Sequence, residues 1–127
     1  MKAGMIAAVA AGGGLGSVAR YCVSQVQNPT WTGFPYGIFL VNVSGGFVMG
    51  VIAELLALRF NVSTEMRAFL TTGIMGGYTT FSTFSLESAL LIQRGAIGTA
   101  ASYVAGSAIL SIAALFAGLW VVRAFYG

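Results

Sequence analysis

Apolar residues fall into four long runs along the chain, separated by short polar stretches. Each run reaches the roughly 20 residues that a helix needs to cross the hydrocarbon core of a bilayer. The connections around residues 60–64 and 93–95 are short, so consecutive helices should pack as antiparallel neighbours. We therefore predict an all-α membrane protein that forms a single domain over residues 1–127. Its four transmembrane helices are predicted at residues 3–24, 37–58, 68–92 and 97–122.

The composition agrees with a membrane location. Apolar residues make up 57% of the 127 positions, and only six basic and three acidic residues are present. Six of these charges lie at the termini or between the predicted helices: Lys2, Arg59, Glu65, Arg67, Arg94 and Arg123. The net charge of +3 is too small and too scattered to indicate nucleic-acid binding. The charge difference between the two sides of the membrane is slight, so both orientations could be inserted.

The sequence lacks the residues that build common catalytic and metal sites. It has no histidine and a single cysteine, Cys22. Neither a Cys/His metal site nor a histidine base can therefore be built. The sequence also offers no serine triad and no phosphate-binding loop. We expect no enzymatic activity.

Small residues recur every four positions in the first two predicted helices. Ala8, Gly12 and Gly16 follow this spacing in the first helix, and Gly46 and Gly50 follow it in the second. Lipid offers no hydrophobic reason for helices to associate, so such residues favour close backbone packing. A four-helix bundle of this size has little interior in which to place its polar residues. We therefore expect a homodimer or larger assembly that shields them.

The third predicted helix contains the stretch GGYTTFSTFS at residues 76–85. Gly76 and Gly77 are poor helix formers, and the hydroxyl side chains that follow compete for backbone hydrogen bonds. The stretch therefore predicts a helix that is broken in the middle of the membrane. Backbone carbonyls freed at such a break can bind a cation.

Two sets of regularly spaced side chains accompany this break, one aromatic and one bearing hydroxyls. Phe81 and Phe84 are three residues apart and would share one face of a resumed helix, where their positive ring edges could line an anion path. Packing or lipid contact remains an alternative for both rings. In the fourth predicted helix, hydroxyls recur every four residues at Thr99, Tyr103, Ser107 and Ser111. They indicate either a polar pathway or hydroxyls that bond their own helix.

Three further polar residues in the spans each have two interpretations. Arg20 is either an anchor at the headgroups or an attractor for anions. Asn42 is either a hydrogen-bonding contact between helices or a donor to an anion. Glu87 is either a proton-coupling carboxylate or an acceptor for nearby hydroxyls such as those of Thr83 and Ser85.

Several stretches together resemble the Fluc (CrcB) family of bacterial fluoride channels. The resemblance is carried by GGYTTFSTFS, by GGGLGSVARY in the first helix, by VNVSGG in the second and by the Tyr/Ser ladder in the fourth. It extends over essentially all 127 residues. It implies an antiparallel, dual-topology homodimer in the bacterial inner membrane, with two fluoride pores and a sodium ion at the centre of the interface. The implied role is passive export of fluoride from the cytoplasm, which reduces fluoride toxicity.

The resemblance also implies roles for individual residues. The backbone carbonyls of Gly76 and Thr79 from both chains would coordinate the sodium ion. The pore would be lined by Asn42, Phe81, Phe84, Tyr103, Ser107 and Ser111, with support from Arg20, Thr83, Ser85 and Glu87. The chain departs from the family pattern at Ile38 and Tyr78, where threonine and leucine are usual.

Two other functions are compatible with the composition. A small proton-coupled multidrug exporter of dual topology would also have four helices, but its coupling carboxylate commonly lies in the first helix, where this chain has Arg20. An accessory membrane subunit would have no use for the hydroxyl ladder. The fluoride channel therefore remains the leading hypothesis.

Overall fold

The structure is a computed structural model that describes residues 2–25, 33–58 and 60–126. Within these ranges all regular structure is helical. Three helices are long and apolar enough to cross a membrane: α1 Ala3–Ser24, α2 Tyr36–Leu58 and α6 Ile97–Tyr126. These findings confirm the prediction of an all-helical membrane protein. Arg59, one of the predicted flanking charges, lies outside the described residues.

The region between α2 and α6 is divided into several shorter elements. It begins with α3 Thr64–Ala68, continues as a π-helical stretch Phe69–Met75, and then forms α4 Gly76–Tyr78. Residues 79–81 are not helical, and Thr79 is extended with φ −83° and ψ 157°. Helical structure resumes in α5 Ser82–Gln93. We call residues 79–81 the interruption.

Two helix ends differ from their predicted positions by more than one residue. The third helical region begins at Thr64 rather than at residue 68, because the Ser63 hydroxyl accepts a hydrogen bond from the Met66 backbone N–H and caps the first turn. Helix α6 continues to Tyr126 rather than ending at residue 122. Its apolar run ends at Arg123, but a charged residue does not by itself terminate a helix. The bounds of α1 agree with the prediction.

Helix α1 packs against the π-helical stretch and α4 through glycine. A Cβ on Gly12 would lie 2.5 Å from the Phe69 carbonyl oxygen, and a Cβ on Gly16 would overlap the Ile74 carbonyl oxygen. The two backbones therefore approach more closely than any side chain would allow. This arrangement confirms the predicted small-residue packing of the first helix.

Helices α2 and α6 pack in the same way. A Cβ on Gly46 would lie 2.5 Å from the Ser111 carbonyl oxygen, and a Cβ on Gly50 would overlap that of Leu115. The packing predicted for the second helix is likewise confirmed. An ion pair of 3.0 Å between Arg123 Nε and Glu54 Oε2 joins the same two helices, and Glu54 is only 7% exposed.

A small apolar core joins α5 to α6. Its buried members are Leu91, Ala100 and Tyr103. The partly buried side chains of Phe34, Phe39, Phe84 and Ala96 pack around it. This core fixes α5, and with it the residues after the interruption, against the hydroxyl-bearing helix α6.

Candidate functional site

An open groove of about 490 Å³ runs beside the interruption, between α2, the π-helical stretch and α6. Seven of the predicted site residues line it: Asn42, Gly76, Thr79, Phe81, Phe84, Ser107 and Ser111. Much of the remaining wall is apolar and includes Met49, Met75, Ile112 and Leu115. The fold therefore brings residues from three separate sequence regions to one surface.

Asn42 on α2 supports the backbone at the interruption. Its Nδ2 donates to the Thr80 carbonyl oxygen at 3.1 Å, and its Oδ1 accepts from the Thr80 N–H at 3.0 Å. The carboxamide thus replaces hydrogen bonds that a continuous helix would supply. Because Nδ2 carries two hydrogens and Asn42 lines the groove, one donor remains for a ligand. Both sequence interpretations of Asn42 are compatible with this geometry.

The carbonyls of Gly76 and Thr79 have lost their usual helical donors. In a continuous helix the Gly76 carbonyl would accept from the Thr80 N–H, which instead donates to Asn42. The Thr79 carbonyl would accept from the Thr83 N–H, which instead donates to the Thr80 hydroxyl at 3.2 Å. Two carbonyl oxygens at the groove are therefore left without these partners.

Oxygen atoms of the backbone are the candidate cation ligands at this site. In the described part of the chain, no group of three or more His, Cys, Asp or Glu side chains could hold a metal ion. Freed carbonyls at an unwound helix suit an alkali cation, because such ions prefer hard oxygen donors. The donor set therefore fits sodium.

The two phenylalanines lie side by side in the groove. Their ring centroids are 5.7 Å apart, with an interplanar angle of 45°. Phe84 is half-buried and also packs against Tyr103, with centroids 5.1 Å apart. Phe81 is 80% exposed. One ring is therefore held by the core, while the other has no cover within a single chain.

Ser107 and Ser111 present buried hydroxyls with no hydrogen-bond partner among the described residues. They lie one turn apart on α6, and both line the groove. Serines in apolar helices usually donate to the carbonyl four residues earlier, which these two do not. A buried donor without a partner costs about 1–3 kcal/mol. These hydroxyls therefore have unused hydrogen-bonding capacity at the wall of the groove.

Tyr103 is placed differently from the two serines. It is fully buried and does not line the groove, and its hydroxyl donates to Glu87 Oε1 at 2.8 Å. Glu87 thus accepts a hydrogen bond from a hydroxyl, which agrees with one of its two interpretations. The donor, however, is on α6, whereas that interpretation expected Thr83 or Ser85. The Ser85 hydroxyl instead donates to the Phe81 carbonyl at 2.8 Å.

The remaining supporting residues lie outside the groove lining. Thr83 is half-buried in the first turn of α5. Arg20 is half-buried in α1, on the face that carries Gly12 and Gly16. Neither side chain is among those that line the groove. Their predicted roles in pore support stay predictions.

Two contributors were not singled out from the sequence. Thr80 is 8% exposed, lines the groove and accepts from the Thr83 N–H, so it acts as a cap for α5. Thr80 and Thr83 are three residues apart, which is the spacing between a capping hydroxyl and the backbone N–H that it accepts from. This spacing could have indicated the role of Thr80. The second contributor is a hydrogen bond between the Tyr78 and Ser44 hydroxyls, whose oxygens are 2.9 Å apart. No local pattern relates residues 34 positions apart.

Comparison with known proteins gives a consistent result. The family model described as "CrcB-like protein, Camphor Resistance (CrcB)" matches residues 7–119. A protein of Rhodospirillum centenum named "Fluoride-specific ion channel FluC" is 55% identical over 121 residues, which cover 94% of this chain and 95% of that protein. A protein of the same name from Caulobacter vibrioides is 57% identical over 120 residues, covering 91% and 92%.

A third relative extends the similarity to nearly the whole chain. The "Fluoride-specific ion channel FluC" of Nitrobacter winogradskyi is 50% identical over 125 residues, covering 97% of this chain and 98% of that protein. Identity at this level over nearly complete lengths, together with the family match, means that the chain belongs to the CrcB family.

Proposed function

We propose that the protein is a fluoride-selective channel that exports fluoride passively from the cytoplasm. The observation that carries this proposal is the pair of buried hydroxyls of Ser107 and Ser111, two groove-lining residues whose hydroxyls have no partner among the described residues. The names of the relatives support fluoride as the ion. The protein is a channel and not an enzyme.

The groove supplies the kind of contacts that a small anion requires. Fluoride holds its hydration shell tightly, so a pathway must replace water with strong hydrogen-bond donors. Ser107, Ser111 and the second hydrogen of Asn42 Nδ2 provide such donors. The positive edges of Phe81 and Phe84 add a weaker attraction that lets the ion move on.

The pathway is completed by a second copy of the chain. The groove is open along one side, and Phe81 is 80% exposed beside it. Hydrocarbon offers no hydrogen-bond partner to the buried hydroxyls near this ring. The open side of the groove is therefore better covered by protein than by lipid. The assembly is an antiparallel, dual-topology homodimer with two pores, and the small net charge of +3 is compatible with insertion in both orientations.

Residues 64–93 form the fourth membrane span of each chain. Its 30 residues would extend about 45 Å as a continuous helix, more than the roughly 30 Å hydrocarbon core. The interruption at residues 79–81 therefore falls near the middle of the membrane. The membrane is the inner membrane of a bacterium, and the fluoride removed is that which enters as the permeant weak acid HF.

A sodium ion at the centre of the dimer joins the two chains. It is held by the backbone carbonyls of Gly76 and Thr79 from both copies. This assignment is supported by the loss of the helical donors of both carbonyls to Asn42 and Thr80. When bound, sodium supplies a fixed positive charge that holds the interrupted backbones together.

The alternative function, a proton-coupled multidrug exporter, fits the groove less well. Such a carrier needs a titratable carboxylate in its substrate site. The groove lining includes no acidic residue among those described, and Glu87 is instead bonded to Tyr103. A Glu87→Gln variant that keeps full fluoride flux would argue further against proton coupling at this residue.

The direct test is ion flux through the purified protein. The protein is reconstituted into liposomes loaded with potassium fluoride or potassium chloride, and efflux is followed with ion-selective electrodes after valinomycin is added. We expect rapid fluoride efflux and chloride efflux no faster than in protein-free liposomes. Equal efflux of both anions, or no fluoride efflux, would refute the proposal.

A further inference from the structure

A second pocket, of about 260 Å³, lies near the end of α5. It is lined by Gly33, Pro35, Glu87, Leu90, Leu91 and Arg94. The pocket has no lining residue in common with the groove, but Tyr103 contacts both linings: its hydroxyl donates to Glu87 of the pocket, and its ring packs against Phe84 of the groove. The next turn of α6 carries Ser107. The buried Tyr103 side chain therefore connects the lining of this pocket with the lining of the groove.

The turn after α5 places Arg94 at this pocket. Gly95 adopts φ +80° and donates its N–H to the Ile92 carbonyl at 3.0 Å, which ends the helix. A Cβ on Gly33 would lie 3.7 Å from Arg94 Nη2. Gly33 itself has φ +78°, a conformation that favours glycine. The guanidinium therefore lies against a wall that has no side chain, which leaves room beside it.

Arg94 and Glu87 line the same pocket without forming an ion pair. They are seven residues apart, about two turns or 10 Å along the helix axis. Among the described residues the ion pair present is that of Arg123 with Glu54. The guanidinium donors of Arg94 thus remain available to a ligand, and its positive charge offsets the negative charge of Glu87 within the pocket.

We propose that this pocket is an anion-attracting vestibule, in which Arg94 raises the local concentration of small anions on the side of Tyr103 opposite the proposed pore. The inference rests on the proposed fluoride channel and extends it to a second site. Without Arg94 the pocket would carry only the carboxylate of Glu87, and it would repel the ion that the groove is built to accept.

The test compares fluoride efflux from liposomes containing the wild type, Arg94→Gln, Arg94→Lys or Arg67→Gln. Arg67 is an exposed arginine in the last turn of α3 that lines neither cavity. One unit charge at 4 Å in water changes local anion concentration about fivefold. We expect Arg94→Gln to lower flux about fivefold in about 10 mM salt, where the Debye length is about 30 Å. In about 1 M salt the Debye length is about 3 Å, so the flux of Arg94→Gln should nearly equal that of the wild type.

The controls separate the charge from a structural role. Arg94→Lys should retain most of the flux and Arg67→Gln all of it. An arginine that acted only through the packing of its side chain at the end of α5 would give the same deficit at both salt concentrations. That result, or wild-type flux for Arg94→Gln in low salt, would overturn the vestibule. Absence of fluoride flux in the wild type would instead refute the proposed function on which the inference rests.

A chemical variant covers the case in which Arg94→Gln yields no intact protein. Arg94→Cys is prepared together with Cys22→Ser, because Cys22 is an exposed free thiol. After reconstitution it is modified with a positively charged or a negatively charged methanethiosulfonate reagent. The positive adduct should raise fluoride flux and the negative adduct should lower it. Equal flux with both adducts would overturn the proposal.

Discussion

At the scale of single residues, Ser107 and Ser111 on α6 differ from Ser88 on α5. Ser107 and Ser111 are buried without a partner among the described residues, whereas the Ser88 hydroxyl donates to the Phe84 carbonyl at 2.8 Å. The chain has thus retained hydroxyls that destabilise the groove when it is empty. Such a cost is typical of groups that serve a ligand.

Replacing these serines should change flux and stability in opposite directions. A hydrogen bond to an ion contributes about 1.5–3 kcal/mol, so Ser107→Ala or Ser111→Ala should slow fluoride efflux by about 10- to 100-fold. Removal of a buried hydroxyl without a partner should leave the thermal stability of the detergent-solubilised protein unchanged or raise it. Ser88→Ala serves as the control and should keep wild-type flux. Wild-type flux in the Ser107→Ala/Ser111→Ala double variant would contradict the assignment.

The phenylalanines give a second prediction at this scale. Phe81→Ile and Phe84→Ile remove the ring edges and should abolish or severely slow fluoride efflux while the dimer persists on size-exclusion chromatography. Phe84→Ile should also lower thermal stability, because its ring packs against Tyr103. Phe125→Ile is a matched control, since Phe125 is also 80% exposed but lies outside the groove. Unchanged flux in both pore variants would remove these rings from the pathway.

Sequence periodicity was sufficient to align the serines but not to assign the partner of each polar group. Ser107 and Ser111 follow from a spacing of four residues, which fixes a common face on any helix. The bond from Tyr103 to Glu87 joins two different helices, and the bond between Asn42 and Thr80 joins positions 38 residues apart. Such contacts depend on how helices are rotated about their axes, which a local pattern does not specify.

At the scale of secondary-structure elements, the interruption is stabilised from α2. Asn42 bonds the backbone of Thr80, and Ser44, two residues later, bonds the hydroxyl of Tyr78. The two contacts flank Thr79, whose extended conformation turns the chain out of the helix. The Tyr78 hydroxyl therefore adds a contact that a leucine at this position could not make.

Asn42→Ala should loosen this region more than Ser44→Ala. The first change leaves two backbone groups of the buried Thr80 without partners, which costs about 1–3 kcal/mol for each. The second removes one exposed hydroxyl contact. Hydrogen–deuterium exchange should therefore show faster exchange of the Thr80 N–H in Asn42→Ala, with only a small change in Ser44→Ala. Equal exchange in Asn42→Ala and the wild type would contradict the supporting role of Asn42.

Element boundaries were predictable only where sequence and packing agree. Helix α1 has a continuous apolar run with glycines on one face, and its predicted and observed bounds coincide. The π-helical stretch Phe69–Met75 has no sequence pattern of its own. It forms where α1 approaches the backbone near Gly73, and that approach is a tertiary property.

At the scale of the whole molecule, one chain would present half of the proposed site. The groove is open along one side, and the proposed sodium ligands require carbonyls from two copies. Apolar composition predicted the membrane and the helical class, since each depends only on the length and hydropathy of a run. The relation between two copies depends on surface shape, which the sequence of one copy does not reveal.

Removal of sodium should therefore disrupt the assembly as well as the flux. Protein purified and reconstituted with N-methylglucamine in place of sodium should lose fluoride efflux and show a lower midpoint of thermal unfolding, because the clustered carbonyls of Gly76 and Thr79 would repel one another. Readdition of sodium should restore both properties. A sample with both cations controls for direct effects of N-methylglucamine. Full efflux from protein shown to be sodium-free by elemental analysis would contradict this prediction.

The π-helical stretch restricts which changes in chain length the protein can tolerate. A π-turn contains one residue more than the corresponding α-turn, so a single deletion within Phe69–Met75 could restore a regular α-helix at low local cost. Because the wider π-turn accommodates the extra residue locally, the residues that follow would keep nearly the same orientation about the helix axis. Gly76 and Thr79 would then still line the groove. A single deletion in this stretch should therefore be tolerated better than one within α5, where it would rotate every following residue by about 100°.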